Sequence, residues 1–178
     1  MRHPLLALCL APLLLSCASN SAPLMRFVDC TRTAYCAPLA EWPNPSPVEK
    51  IDVLYARGVR SILREMACGK MVARGRRLAY VSERDLAVPC GSAPIRHVRD
   101  RDHGNRLLAA GDIDYVVEFE RATPSKVSGG IDMSVSAVFY GKAGRRGADS
   151  RLEGMDNYLI VQTKAMTELR LISQTMHD

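Results

Sequence analysis

The chain has 178 residues, of which 47% are hydrophobic and 24% charged, and its formal net charge is +5. That composition excludes a disordered chain, which would lack the apolar residues to build a core. The charge excess is modest and spread along the sequence, so it is a weak argument for contact with an anionic lipid, lipopolysaccharide or peptidoglycan.

An apolar run follows Arg2 and closes on Leu14-Leu15-Ser16-Cys17. Crossing a bilayer takes about 20 residues of helix, and this run is too short and contains Pro12. An ordinary secretory signal has the same charged start but favours small residues before its cut. Leu14-Leu15-Ser16-Cys17 instead resembles the lipobox of bacterial lipoproteins, in which a diacylglycerol is attached to the cysteine and the chain is cut just before it. The resemblance implies a signal peptide over 1–16, a mature chain that starts at a lipidated Cys17, and an envelope address. Ala18 and Ser19, with no Asp directly after the cysteine, imply the outer membrane over the inner; the periplasmic face is expected, with the cell surface left open. Nucleic acid is a poor partner there. About 160 residues then remain, enough for one domain with a real core.

Cys30, Cys36, Cys68 and Cys90 make an even number in an oxidising compartment. Two disulfides are expected, of three possible pairings. Cys30 to Cys36 and Cys68 to Cys90 are favoured because each joins neighbours in sequence, and loop entropy assigns them roughly 2 and 3 kcal/mol. Zinc finds no Cys-x-x-Cys spacing and no histidine near Cys30 or Cys36.

Residues 17–47 read as a lipidated tether. Leu24 to Val28 within it is a run short enough for one strand. Pro38, Pro43, Pro45 and Pro47 surround Trp42, a composition that prefers extended backbone and blocks helix. Trp42 is either a docking anchor or a ring that folds back on the domain.

The domain is expected over 48–178. Ser46-Pro47-Val48-Glu49 has the form of a capping box with proline at the first helical position. Val48, Ile51, Leu54, Tyr55, Val59, Ile62, Leu63 and Met66 recur at helical spacing, which predicts a long helix over 47–68 that Gly69 ends. Lys70, Arg74, Arg76 and Arg77 place four cations in eight residues. As a solvated turn they only solubilise; as a patch they meet an acidic partner.

Leu78 to Ser82 reads as a strand, 83–98 as loop with a short strand at its end, and Asp102 to Ala110 as a short helix stopped by Gly111. Ile113 to Glu120 has strong strand propensity. In Ile131 to Tyr140, apolar residues alternate with Asp132, Ser134 and Ser136, which suits an antiparallel strand with one buried and one wet face. Gly141 to Gly154 holds glycines with Lys142, Arg145 and Arg146 but lacks the context of a phosphate cradle, so it reads as a long hairpin loop. Asn157 to Thr163 is a last strand. Ala165, Met166, Leu169, Ile172 and Met176 step at helical spacing to the end, although Leu169 and Leu171 could also alternate in a strand.

The fold class is therefore α/β (α+β): one small mixed sheet with antiparallel strands, packed by a long N-terminal helix and a C-terminal helix. The stretch Asn105 to Val117, a small-residue helix end that feeds a strand through Asp114-Tyr115-Val116-Val117, is similar to a segment of the periplasmic α/β domains of TolB, the curli secretion lipoprotein CsgG and the peptidoglycan-synthase activator LpoB. Cys30 and Cys36 soon after a lipidated cysteine resemble the start of TraV-type conjugation lipoproteins. These likenesses imply a protein-binding component of a secretion or surface-assembly apparatus or, alternatively, a regulator of a peptidoglycan synthase.

Catalysis would need groups that are scarce here. His97 and His103 have no nucleophile motif nearby. His103 with Asp100 and Asp102 could hold a metal, but Arg99 and Arg101 oppose a cation there. Asp112 and Asp114 flank a strand and read as caps. No catalytic residue, metal or cofactor is expected; an envelope enzyme with an unrecognised site is the remaining alternative, which His97 or His103 beside a carboxylate in a closed pocket would favour, and oligomeric state stays open.

Overall fold

The computed structural model describes residues 25–31, 50–71, 74–88, 90, 95–127, 130–143, 150–162 and 166–175. Signal peptide, Cys17, Cys36, Trp42 and the expected capping box all lie outside them. The described residues form eight strands and two α-helices, an α+β arrangement around one mixed sheet.

The strands are β1 (Arg26–Asp29), β2 (Leu78–Val81), β3 (Arg96–Val98), β4 (Tyr115–Arg121), β5 (Ser125–Val127), β6 (Gly130–Lys142), β7 (Ser150–Gln162) and β8 (Thr167–Gln174). Across the sheet they run β1-β8-β7-β6-β4-β2-β3, and β5 pairs with β6 off that path. β2 is parallel to β3 and β4, β1 is parallel to β8, and β4-β6-β7-β8 alternate in direction. Parallel pairing at both edges and antiparallel pairing in the middle make the sheet mixed.

The first helix, α1 (Ile51–Ile62), runs on as a π-helical stretch from Leu63 to Met71. It is less regular than the predicted helix over 47–68, and it is not the first element, because β1 precedes it in the sheet. Gly69 lies inside the π-helical turns rather than beyond a cap. Leu54, Ile62, Leu63 and Met66 descend from this helix onto one face of the sheet, against Tyr80, Val117, Phe139, Ile160 and Leu169. Contact is close enough that a Cβ on Gly58 would lie 2.0 Å from Ile160 Cδ1.

The second helix, α2 (Arg101–Ala110), covers the opposite face. Asp100 caps it by accepting the His103 N–H at 2.7 Å, and Gly111 ends it at φ 77°, a left-handed conformation that glycine adopts without a Cβ penalty. A Cβ on Gly104 would meet Val116 at 2.8 Å, so small residues bring α2 down on β4. A smaller core of Ala79, Val98, Leu108, Ile113 and Val116 results.

The expected C-terminal helix is β8 instead. Leu169 and Leu171 enter the main core while Glu168 and Arg170 share the other face, where Arg170 Nη2 donates to Glu168 Oε2 at 3.1 Å. Positions two apart share a face only in a strand, and a place between β7 and β1 satisfies both edges of the segment. The expected hairpin loop is also shorter than Gly141 to Gly154, because Lys142 already pairs with Ser150. β1 falls within the expected tether, so the sheet recruits residues ahead of position 48.

Candidate functional site

Antiparallel pairing carries β6 down to Lys142 beside the start of β7, while β2 and β4 begin at the same level through Leu78, Tyr115 and Gly141. This hairpin end gathers charges that are far apart in sequence. Arg74, Arg76 and Arg77 arrive from the turn before β2, Arg96 from the start of β3, Lys142 from the end of β6 and Arg151 from the start of β7, and all six are exposed.

Three carboxylates temper them. Arg77 Nη2 lies 3.1 Å from Asp114 Oδ1, and the Arg77 backbone N–H donates to Asp114 Oδ2 at 2.8 Å. The Asp114 N–H in turn donates to the Arg77 carbonyl at 2.8 Å, which ties the entry to β2 to the entry to β4. Burial pushes the Asp114 carboxyl up, but Arg77's hydrogen bonds and charge outweigh it and hold the group below its ordinary range. Arg96 and Arg151 face Asp112 and Glu153 at 3.8 and 3.6 Å. Lys142 Nζ donates to the Ala109 carbonyl at the end of α2. Among the described residues of this end the six cations outnumber the three carboxylates.

Of the four cations expected as a patch, Arg74, Arg76 and Arg77 belong to this end. Lys70 does not, since its Nζ donates to Gln174 Oε1 at the end of β8, three strands from β4 in the sheet order. Arg96 and Arg151 were not legible as members, because only strand register places them beside Arg77. Lys142 carried a signal, as a cation in the glycine-rich run, but not a location.

A second concentration of titratable groups lies at the exit of β2. Tyr80 is fully buried, its hydroxyl donates to Asp85 Oδ1 at 2.7 Å and accepts the Leu86 N–H at 2.9 Å. Burial and then Asp85 push the phenol up to about 12. Asp85, held low chiefly by the Tyr80 hydroxyl, also accepts from Ala87 N at 2.8 Å, where Ala87 takes φ 46°. His97 stands next to Tyr80 with ring centroids 5.4 Å apart, and its Nε2 lies 2.7 Å from the Ser82 carbonyl. Tyr80, Asp85 and His97 thus spend their polar atoms on the chain between β2 and β3. On β7, burial and the nearby Asp156, Asp29 and Glu65 carboxylates push the Tyr158 phenol far up.

Disulfides bracket this face. Cys68 in the π-helical stretch is bonded to Cys90 with Cα atoms 5.0 Å apart, and Cys30 is disulfide-bonded as well, its partner outside the described residues. His103 is exposed in the first turn of α2, and Asp100 beside it is engaged as the cap. Among the described residues no three His, Cys, Asp or Glu side chains converge as metal ligands would, and no helix is long and apolar enough to cross a membrane. A comparison of the chain with protein families, curated proteins and solved structures finds no match.

Proposed function

We propose that the chain is an outer-membrane lipoprotein, anchored through Cys17 on the periplasmic face, whose α+β domain binds another envelope protein without catalysing a reaction. The apparatus it serves is one of secretion or surface assembly. One observation carries the reading: Leu14-Leu15-Ser16-Cys17 leads a domain whose Cys30, Cys68 and Cys90 are all disulfide-bonded, as an oxidising compartment permits. His97 and the buried tyrosines add support, because their partners are backbone and neighbouring carboxylates that hold the fold.

The start of β1 at Arg26 bears on the choice of partner. Arg26 is nine residues beyond Cys17, and a fully extended stretch of that length reaches about 30 Å at most. A regulator that reaches a peptidoglycan synthase across the periplasm is better served by a long tether, so the short one favours a partner near the anchoring membrane.

Labelled palmitate and membrane fractionation test the anchor: Cys17→Ser is expected to lose both, and a variant that keeps both sinks the lipoprotein reading. Purification of the lipidated protein from detergent-solubilised envelopes tests the partner. Recovery of a secretin-like ring or conjugation core supports the apparatus, whereas a penicillin-binding protein replaces it with the synthase regulator.

A further inference from the structure

One patch of the sheet is buried although, among the described residues, no helix lies over it. Strand register sets Asp132, Val161, Glu168 and Arg26 in one row and Ser134, Leu159, Arg170 and Val28 in the next row of the same face. The row between them, Met133, Ile160, Leu169 and Phe27, faces α1, so these two face away from it. α2 shares their face but packs on Ala79, Val98, Val116 and Tyr140, toward the hairpin end of the sheet. Val161 is nonetheless fully buried, and Glu168 and Arg170 expose only 6% and 7% of their side chains. The two charges accept burial as a pair, Arg170 Nη2 donating to Glu168 Oε2, so an uncharged cover suffices. Ser134 and Ile172 at the margins are exposed. The cover is narrow, the width of an extended chain.

The protein itself supplies such a chain. It leaves β1, the sheet edge beside β8, at Thr31 and re-enters at Lys50, where α1 begins over β4: Arg121 Nη1 lies 2.8 Å from Asp52 Oδ1, and the Tyr55 hydroxyl donates to the Phe119 carbonyl. From there α1 crosses toward β1, since Gly58 meets Ile160 on β7 and Ser61 Oγ accepts the Met25 N–H. Residues 32–49 therefore make the return crossing. α1, the π-helical stretch and the chain from Leu86 to Cys90 already fill the α1 face, which leaves the opposite one. From β1 to β4 is four strand spacings in the sheet order, about 19 Å at roughly 4.8 Å each, and the stretch extends to about 60 Å. That leaves length to round β4, whose pairing with β2 stops at Val117. Met25 is buried among α1 residues, so the chain ahead of β1 arrives on the α1 side and is not the cover.

We infer that residues 32–49 cross the open face of β8, β7 and β6 as an extended chain, and that Trp42 is the side chain that shields Val161, Glu168 and Arg170. Pro38, Pro43, Pro45 and Pro47 hold the backbone extended and withhold the N–H groups that a helix or a central strand would need. Trp42 stands near the middle of the stretch, which the crossing brings over β7 and β8. Its ring suits the patch, with apolar surface for Val161, Leu159 and Val28 and a π face for the Arg170 guanidinium. The stretch is then part of the domain and Trp42 is no free docking anchor. None of this depends on a lipid at Cys17.

Trp42 is the single tryptophan, so its fluorescence reads the contact directly in the full, oxidised chain. Emission is expected at shorter wavelength than in denaturant, with acrylamide quenching several-fold weaker. Leu159→Glu, on the shielded face, should move both toward the denatured values while the chain still unfolds cooperatively. Leu152→Glu, exposed on β7 near the hairpin, should move neither. Benzoylphenylalanine in place of Trp42 identifies the neighbour: an adduct within the chain is expected, mapped by mass to the peptide with Leu159 and Val161 or to that with Glu168 and Arg170. This arm decides the matter if Leu159→Glu fails to fold. A Trp42 as open to quencher as in denaturant, a response to Leu159→Glu no larger than to Leu152→Glu, an adduct on α1, an adduct on a second copy or another envelope protein, or no adduct at all would each overturn the assignment.

Discussion

On one face of the sheet, α1 and the chain between β2 and β3 bury Leu54, Ile62, Val88 and Cys90 against Tyr80, Phe139, Ile160 and Leu169. On the other, α2 buries only Ala79, Val98, Leu108, Ile113 and Val116, with Val81, Leu107 and Tyr140 half-exposed around them. Both helices lie on the strands through a glycine, Gly58 on Ile160 and Gly104 on Val116, yet the first face gathers residues from six strands, β1, β2, β4, β6, β7 and β8, and the second from its β3-β2-β4 corner. The difference teaches that stability and presentation are separated: the α1 face holds the fold, and the α2 corner positions the ends of β2, β4 and β6 where the cations emerge.

The largest test of that division compares one truncation on each side. Phe139→Ala removes a fully buried ring from the α1 face and is expected to cost about 3–5 kcal/mol in denaturant unfolding. Leu108→Ala on the α2 face should cost about 2–3 kcal/mol, the low part of the range for such a change, because its half-exposed neighbours can close on the space. Equal costs would mean that the two clusters act as one core and would break the comparison.

The disulfide belongs to the α1 face and closes a separation of 22 residues. Replacing Cys68 and Cys90 together by Ser is expected to destabilise by about 3 kcal/mol on the loop-entropy account. Reductant should cost the parent about that much more than it costs the variant, because the Cys30 bond is reduced in both. A loss well under 1 kcal/mol would show that packing of the π-helical stretch, not the bond, secures this end of α1.

Tyr80→Phe is smaller. It deprives Asp85 and the Leu86 N–H of one partner each and should cost about 1–2 kcal/mol. It also carries a pH signature. Folding raises the phenol from 10.0 to about 12, so the folded state keeps a proton that the unfolded chain releases. The contribution is whole below pH 10.0, declines above it, and is gone by about pH 12. In Tyr80→Phe the stability curve should flatten over that interval; an unchanged slope would place the loss elsewhere.

Local signals in the sequence gave way at one kind of place. Ile51 to Ile62, Arg101 to Ala110 and the alternation of Ile131 to Phe139 were legible because helical and strand periods were written in their own residues, and Gly111 marked its helix end correctly. Residues 167–174 carried both periods at once. The choice between them was made by β7 and β1, on either side, and neighbours that distant leave no local trace. The basic end was half legible for the same reason: Arg74, Arg76 and Arg77 form a run, whereas Arg96 and Arg151 join it through register alone.

The smallest effect tests the α2 corner at its rim, where Asp114 joins the entries to β2 and β4. Its carboxyl is pushed up by burial but held lower still by the Arg77 hydrogen bonds and charge, so its folded value lies below the ordinary 3.8. A depressed carboxylate stabilises the fold at pH values above its unfolded one, and the contribution disappears as pH falls through the folded value. Asp114→Asn removes that linkage and keeps an oxygen that can accept from the Arg77 N–H. Its unfolding temperature should therefore sit slightly below the parent's at pH 7, with the gap shrinking as the pH drops below about 3.8. Both partners are partly exposed, at 57% for Arg77 and 30% for Asp114, so salt should narrow the gap at pH 7 as acid does. A gap indifferent to both acid and salt would assign the tie to the backbone bonds between Arg77 and Asp114, and the corner would then be set by strand geometry without help from charge.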